Sequence, residues 1–510
     1  MTGTSSPTAG TALREGPDRP PPGSRAPLPR LPLPRRTLPA YLTVPAGGLV
    51  VVVVTAGALL VPVAAVGAAG LAGLAALFWW RPRTGLLLTV VAALLVTQLG
   101  ALAGAAGGAL DEGMIVVGAA VVTARRLLTT GTLVRFPGTW WFVGFGLAGV
   151  ASSLLQDVPT TLWLAGGLLL LKAVLVGHTA AQLTWDDTHL TTIVRAGVVV
   201  AVVLVVTGVL NVALPGLWTG VVAQTTPEMH GPVAAVVGPF RQPAAYGRIA
   251  VILAAATLTY QLVVRSTLRG YVLALALSGL ALLTFRVKSF VGLVLATAGV
   301  VLRAGRPWVV RLALVALPAV LLAAGPTAWR YVVEDLELYY GSGESARALL
   351  TAGGLTLAAE HLPLGAGLGR YGSATAAEHY SPEYVALGFE HVWGLGRAEG
   401  WGAYLLDTQW PALLGETGWL GTVCYAAGLL CALAVLLRRV PAETPLTRWL
   451  RISGVCCLVL VLLDSVGAAA FSSPPSYALL YLAPGIVAGM RAQARGQAGT
   501  PARTPAEVAT

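Results

Sequence analysis

Long apolar runs recur along almost the whole chain and limit the folds that it can adopt. Between residues 43 and 490 they alternate with shorter segments that carry arginine, proline and glycine. A helix needs about 20 apolar residues to cross the hydrocarbon core of a bilayer, and several runs reach that length. Only 11% of the 510 residues are charged. Since soluble domains average about 25%, we predict an all-α, polytopic membrane helical bundle.

The runs predict about 12–14 transmembrane helices. The fourteen candidate spans are 43–61, 62–80, 84–107, 112–128, 137–156, 159–182, 193–213, 243–264, 268–285, 287–303, 308–325, 411–437, 447–467 and 474–490.

The spans divide the chain into five parts. Residues 1–40 and 491–510 are rich in proline, arginine, serine and glycine, and are predicted to be disordered cytoplasmic tails. Residues 41–325 hold about eleven spans, residues 326–410 form one large extracytoplasmic loop, and residues 411–490 hold about three spans.

The distribution of arginine gives the orientation. With both termini inside, most short inner loops carry two or more arginines, as the positive-inside rule requires. This accounts for the net charge of +11 without nucleic-acid binding. We expect a multi-pass protein of the cytoplasmic membrane.

The large loop at 326–410 is the most polar part of the region between the tails. It contains ten acidic residues, four arginines and three of the six histidines. Loops of this length are usually functional. The spacing of His361, His379 and His391 does not suggest a metal site, and no metal or cofactor is expected.

Four basic residues lie on the predicted outer side, where the positive-inside rule places few: Arg241, Arg248, Arg286 and Lys288. Charges close to hydrocarbon are costly and often functional. They suit an anionic phosphate, which guanidinium groups bind in a bidentate manner. Anchoring to lipid headgroups or pairing with loop carboxylates are the alternatives.

The large loop begins and ends with further candidates. Arg347 opens an apolar helix-like segment that ends at Pro363, and the turn "GAGLG" follows at 365–369. The loop closes with "DTQWPALLGETGWLG" at 407–421, where Asp407 and Glu416 flank the predicted start of a span. Asp407 could cap that helix or act as a base, and Glu416 could pair with an arginine or contact substrate.

Three of these segments together resemble the O-antigen ligase and polymerase superfamily of bacterial membrane glycosyltransferases. They are "LLTFRVKSFVGL", "ESARALLTAGGLTLAAEHLPLGAGLG" and "DTQWPALLGETGWLG", in the family's order and with a large outer loop between. The resemblance covers roughly residues 210–470. Asp407 stands where ligases have a histidine, and Phe285 where the family has a serine.

The resemblance implies a GT-C-like, metal-independent glycosyltransferase. The donor would be a polyprenyl-pyrophosphate-linked oligosaccharide at the outer face of the membrane, and the acceptor a glycan or lipid. Arg286 and Arg347 would stabilise the departing pyrophosphate, while Asp407 would accept the acceptor's proton. Arg241, Arg248, Lys288 and Glu416 are the expected substrate-binding residues.

Two other functions remain open on the sequence. One is a different polyprenyl-phosphate-sugar glycosyltransferase, and the other is a polysaccharide or lipid transporter. Lys172, in the middle of a predicted span, could snorkel, pair or line a cavity.

Overall fold

The computed structural model describes residues 62–304 apart from residue 225, residue 333, residues 345–397 and residues 404–498. Within these ranges most residues are helical and there is almost no sheet. The one sheet there has two short antiparallel strands, β1 (Met229–His230) and β2 (Val233–Ala234). The all-α prediction is therefore confirmed. The predicted spans 43–61 and 308–325 and the predicted tail 1–40 lie outside the described residues.

The helices follow one another with short connections on either side of the large loop. In chain order they are α1 (Pro62–Trp80), α2 (Pro82–Gly108), α3 (Leu110–Thr130), α4 (Thr139–Leu155), α5 (Thr160–Gln182), α6 (Asp187–Ala213), α7 (Pro215–Trp218), α8 (Pro243–Val263), α9 (Leu268–Leu282), α10 (Val287–Ala304), α11 (Ala346–Glu360), α12 (Ala374–His379), α13 (Pro382–Ala386), α14 (Trp410–Leu437), α15 (Pro445–Asp464), α16 (Tyr477–Leu480) and α17 (Leu482–Ala498). A π-helical turn at Thr219–Ala223 and a 3-10 turn at Phe389–His391 complete the described elements.

Eight helices in the described part of the chain are long and apolar enough to cross a membrane: α2, α3, α5, α6, α8, α10, α14 and α15. Helices α1, α4 and α9 contain apolar segments that are shorter. A polytopic helical protein is thus confirmed, and the higher count of 12–14 spans stays a prediction.

The C-terminal end differs from the prediction. A span was expected at 474–490 and disorder from residue 491, but α17 begins at Leu482 and continues to Ala498. The short helix α16 (Tyr477–Leu480) occupies the first part of the predicted span, and Tyr481 separates it from α17. Arg491 donates to the carbonyl oxygens of Arg438 (2.6 Å) and Arg439 (3.1 Å) just after α14. The disorder prediction is wrong for residues 491–498 because composition does not reveal these contacts.

The described part of the large loop is folded. Helix α11 packs along α14, and a separate small core forms between α11 and the turns and short helices that follow it, up to Leu405. Its largest fully buried side chains are Tyr371 and Tyr384. The helix predicted to begin near Arg347 is α11, with Ser345 as its N-cap.

One glycine lets this loop approach α14 closely. Gly418 has a φ of +65°, and a Cβ there would lie 2.2 Å from the carbonyl carbon of Leu364. Only glycine fits both the conformation and the space.

Candidate functional site

The first feature of the site is an ion pair between the two ends of the large loop. Arg347 Nη2 lies 2.9 Å from Asp407 Oδ2, and both side chains are largely buried. Asp407 does not cap α14, because Gln409 occupies the N-cap position and no side chain bonds to the free amides there. The capping interpretation is therefore wrong, and Asp407 faces a cation instead.

A second group of charges comes from three membrane helices. Arg248 of α8 and Lys288 of α10 both face Asp464, the last residue of α15. Arg248 forms an ion pair with Asp464 and donates to the Ser476 hydroxyl at 2.7 Å. Lys288 Nζ lies 3.5 Å from Asp464 Oδ1 and donates to the Gly467 carbonyl at 2.6 Å.

Gly467 lies next to both the Arg347–Asp407 ion pair and the second group of charges. A Cβ on Gly467 would lie 2.9 Å from Lys288 Nζ and 3.4 Å from the guanidinium carbon of Arg347. Lys288 also interacts electrostatically with Arg248, Arg347 and both aspartates. We call Arg248, Lys288, Arg347, Asp407 and Asp464 the charged cluster. When all five are ionised, it has one positive charge in excess.

Hydrogen bonds join the segment around Asp407 to the segment that follows Asp464. Ala469 N donates to Leu406 O at 3.1 Å, and the Gln409 side chain accepts from Phe471 N at 2.9 Å. The Trp410 indole donates to Ser465 at 3.0 Å. The segment after Asp464 is thus fixed to the segment that carries Asp407.

Arg286 lies beside the charged cluster. It borders a small cavity of about 30 Å³ together with Arg248, Lys288 and Asp464. Its guanidinium forms an ion pair with Glu228 at 2.5 Å, and its side chain is 37% exposed. The structure therefore brings Arg286 close to the other cations but gives it a carboxylate partner of its own.

Arg241 lies apart. Its Nη2 donates to Gln224 Oε1 at 2.7 Å. Within the described residues, no hydrogen bond or ion pair joins Arg241 to the charged cluster. The geometry gives no support to its predicted role in substrate binding.

Glu416 is fully buried, so substrate cannot reach it in this conformation. Tyr371 N donates to its Oε1 at 3.2 Å, and the Ser373 hydroxyl and the amides of Gly369 and Arg370 face the same carboxylate. This burial gives no support to the predicted role of Glu416 in substrate binding. Glu416 holds the Gly-rich turn against α14 instead.

We predict that Glu416→Gln lowers the thermal unfolding midpoint less than Glu416→Ala does, because the amide oxygen still accepts from Tyr371 N. Glu416→Ala leaves these buried donors unpaired, at about 1–3 kcal/mol each. It should lower the thermal unfolding midpoint of the purified protein in detergent by several degrees. An equal change of the midpoint in the two variants would contradict this role of the Glu416 side chain.

The histidines of the loop do not join the charged cluster through any hydrogen bond or ion pair in the described ranges. His379 Nδ1 lies 3.1 Å from Thr375 O within its own helix. Over the same ranges, no group of three or more His, Cys, Asp and Glu side chains is arranged to hold a metal ion.

A large apolar cavity of about 730 Å³ lies between helices α2, α6, α8, α9, α15 and α17. Its walls are almost entirely hydrocarbon. They include Ile249, which follows Arg248 in sequence, and Leu479, three residues after Ser476. They also include Gln261 near the C-terminal end of α8 and Trp449 near the N-terminal end of α15. The volume falls within the range of pockets that bind small molecules.

Asp464 and Glu228 are the residues that sequence reasoning missed. Asp464 ends an apolar run, and Glu228 lies in "TTPEMHGP", part of a loop predicted to be on the outer side. The sequence does contain a signal for Asp464, because a lone carboxylate at the end of a membrane span requires a cationic or hydrogen-bonding partner. The predicted outer ends of α8 and α10 supply basic residues at the same depth.

The arrangement can bind an anion at a membrane surface. Three cations converge, with one positive charge in excess, and the buried Arg248 Nε has no acceptor among the described residues. Guanidinium groups pair well with phosphate oxygens. No protein-family model matches this chain, and no curated protein matches it in sequence.

Proposed function

We propose that this protein is a membrane glycosyltransferase. It transfers or polymerises an oligosaccharide from a polyprenyl-pyrophosphate donor at the outer face of the cytoplasmic membrane. The observation that carries the proposal is the charged cluster, in which Arg347 and Asp407 lie 2.9 Å apart beside Arg248 and Lys288. Cations for a leaving diphosphate and a carboxylate for an acceptor proton are thus neighbours.

In the proposed reaction, the acceptor hydroxyl oxygen attacks the anomeric carbon of the donor sugar. The bond from that carbon to the pyrophosphate oxygen breaks, and its electron pair leaves with the diphosphate. Arg347, Arg248 and Lys288 stabilise the growing negative charge, with Arg286 at the edge. Asp407 accepts the acceptor's proton. The donor arrives already activated by its lipid diphosphate.

The apolar cavity supports a lipid-linked substrate. The hydrocarbon chain of the donor would lie in this cavity, against its apolar walls, while the diphosphate lies at the charged cluster. On this proposal the bundle is GT-C-like, the large loop is extracytoplasmic and both termini are cytoplasmic. Such an enzyme would contribute to a surface or extracellular polysaccharide.

The direct test uses proteoliposomes that contain only this protein. They receive a lipid-linked oligosaccharide donor with a labelled glycan, together with an unlabelled glycan acceptor. We expect label to appear in a longer glycan, because the donor needs no other enzyme. Transfer equal to that of empty liposomes, with donors of several glycan types, would contradict the proposal.

One observation favours a transporter as the second candidate. Lys172 of α5 is buried and lies 3.0 Å from Glu112 and 4.5 Å from the centre of the Tyr477 ring. The Tyr477 hydroxyl donates to the buried Asp111. Ionisable groups inside the membrane often mark transport pathways. Uptake of labelled glycan or lipid without bond formation, lost in Lys172→Met, would favour this function.

A further inference from the structure

The charged cluster contains a carboxylate to which the proposed mechanism gives no chemical role. Asp464 is 6% exposed and ends α15 between two cations. Its two oxygens face different partners, with Arg248 at Oδ2 and Lys288 at Oδ1. A carboxylate in this position sets the separation and direction of both side chains.

Further hydrogen bonds hold the residues around Asp464. Gly467 N donates to Asp464 O at 3.1 Å, and Lys288 donates to the Gly467 carbonyl. Arg248 is held from its other side by Ser476. The segment that follows Asp464 is also fixed to the residues around Asp407. The cations are therefore positioned relative to the proposed base as well as to each other.

A diphosphate bound here would have the same partners as the Asp464 carboxylate. Asp464 therefore has two opposing effects on such a ligand. It weakens overall attraction, because it neutralises one positive charge. It also keeps Arg248 and Lys288 from separating by mutual repulsion, so that both meet the leaving group in one arrangement.

We propose that Asp464 is a positioning residue that acts as an internal counter-ion, holding Arg248 and Lys288 for a departing diphosphate. This inference rests on the proposed function. It predicts a separation of effects that simple loss of structure would not produce. Without the charge of Asp464, diphosphate should bind more tightly while the chemical step becomes slower.

The test compares Asp464→Asn with wild type in two assays on the full chain. In the transfer assay, we expect kcat to fall at least about tenfold. In a binding assay with inorganic pyrophosphate and with farnesyl diphosphate, we expect Kd for both probes to fall about threefold or more. Asp464→Glu keeps the charge and should recover part of kcat. The matched control is Asp157→Asn, an exposed aspartate at φ +49° that asparagine tolerates.

Weaker binding together with lower kcat in Asp464→Asn would overturn the inference, because it would indicate general damage. Unchanged kcat with normal binding would also overturn it. The binding assay does not depend on turnover. If wild type transfers no glycan, the proposed function fails, while tighter binding of both probes by the Asn variant would still support the counter-ion role.

Discussion

Arg347→Ala is expected to lower glycan transfer at least about 100-fold, which is the usual cost of removing one group that stabilises charge in a transition state. Arg347 is the cation that touches the proposed base, and it also flanks Lys288 across Gly467. Its loss removes a partner of the diphosphate and the counter-ion of Asp407. The measurement is the initial rate of transfer per mole of purified protein in proteoliposomes.

Two further variants separate chemistry from folding in this experiment. Arg370→Ala is the matched control, because Arg370 lies in the same loop but outside the charged cluster. Its guanidinium forms an ion pair with Glu383 at 3.4 Å. The double variant Arg347→Ala with Asp407→Asn removes the carboxylate that would be left without a partner. If the double variant folds normally and transfers at the wild-type rate, Arg347 has no role in the reaction.

Asp407→Asn is expected to lower transfer about 100-fold or more, within the range for general-base catalysis. Asparagine cannot accept a proton from the acceptor hydroxyl, although its size is nearly the same. Burial raises the pKa of the Asp407 carboxyl above its ordinary value of 3.8, and Arg347 opposes that effect only in part. Wild-type kcat/KM should therefore rise with pH as Asp407 loses its proton, while the residual activity of the variant should not follow this titration.

The contribution of Asp407 to the stability of the fold should fall with rising pH, whereas kcat/KM should rise. The pKa of Asp407 is higher in the folded protein than in the unfolded chain. Its contribution to stability is therefore complete below the ordinary pKa and is lost as pH rises through the raised value. Unfolding midpoints of wild type and Asp407→Asn, measured from acid to neutral pH, should diverge in favour of the variant. A constant difference would contradict the raised pKa.

The helical architecture could be predicted because membrane spans are recorded in local composition. Helices α2, α5, α8 and α10 begin and end within a few residues of the predicted spans. The start of α17 could not be placed in the same way. A separate short helix, α16, ends at Leu480 before α17 begins. The continuation of α17 past residue 490 coincides with the contacts of Arg491 with the backbone after α14, which are tertiary features.

The site could be predicted only in part, because its contacts join residues that are far apart in the sequence. Arg347 and Asp407 are 60 positions apart, and only the order of the loop segments suggested that they meet; the structure gives their ion pair. Asp464 was hidden in an apolar run because its role depends on Arg248 and Lys288, which belong to other helices. The sequence showed the Glu416 carboxylate near a helix start but not the backbone amides that surround it, because those amides come from a distant turn.

The measurement that tests the central claim most directly is the stoichiometry of transfer in proteoliposomes that hold only this protein. Glycosidic bonds formed and polyprenyl diphosphate released are counted in the same sample. We predict one diphosphate for each new bond, with both products lost together in Arg347→Ala. Glycan that crosses the bilayer while still joined to its lipid, with no diphosphate released, would contradict the account and indicate a transporter.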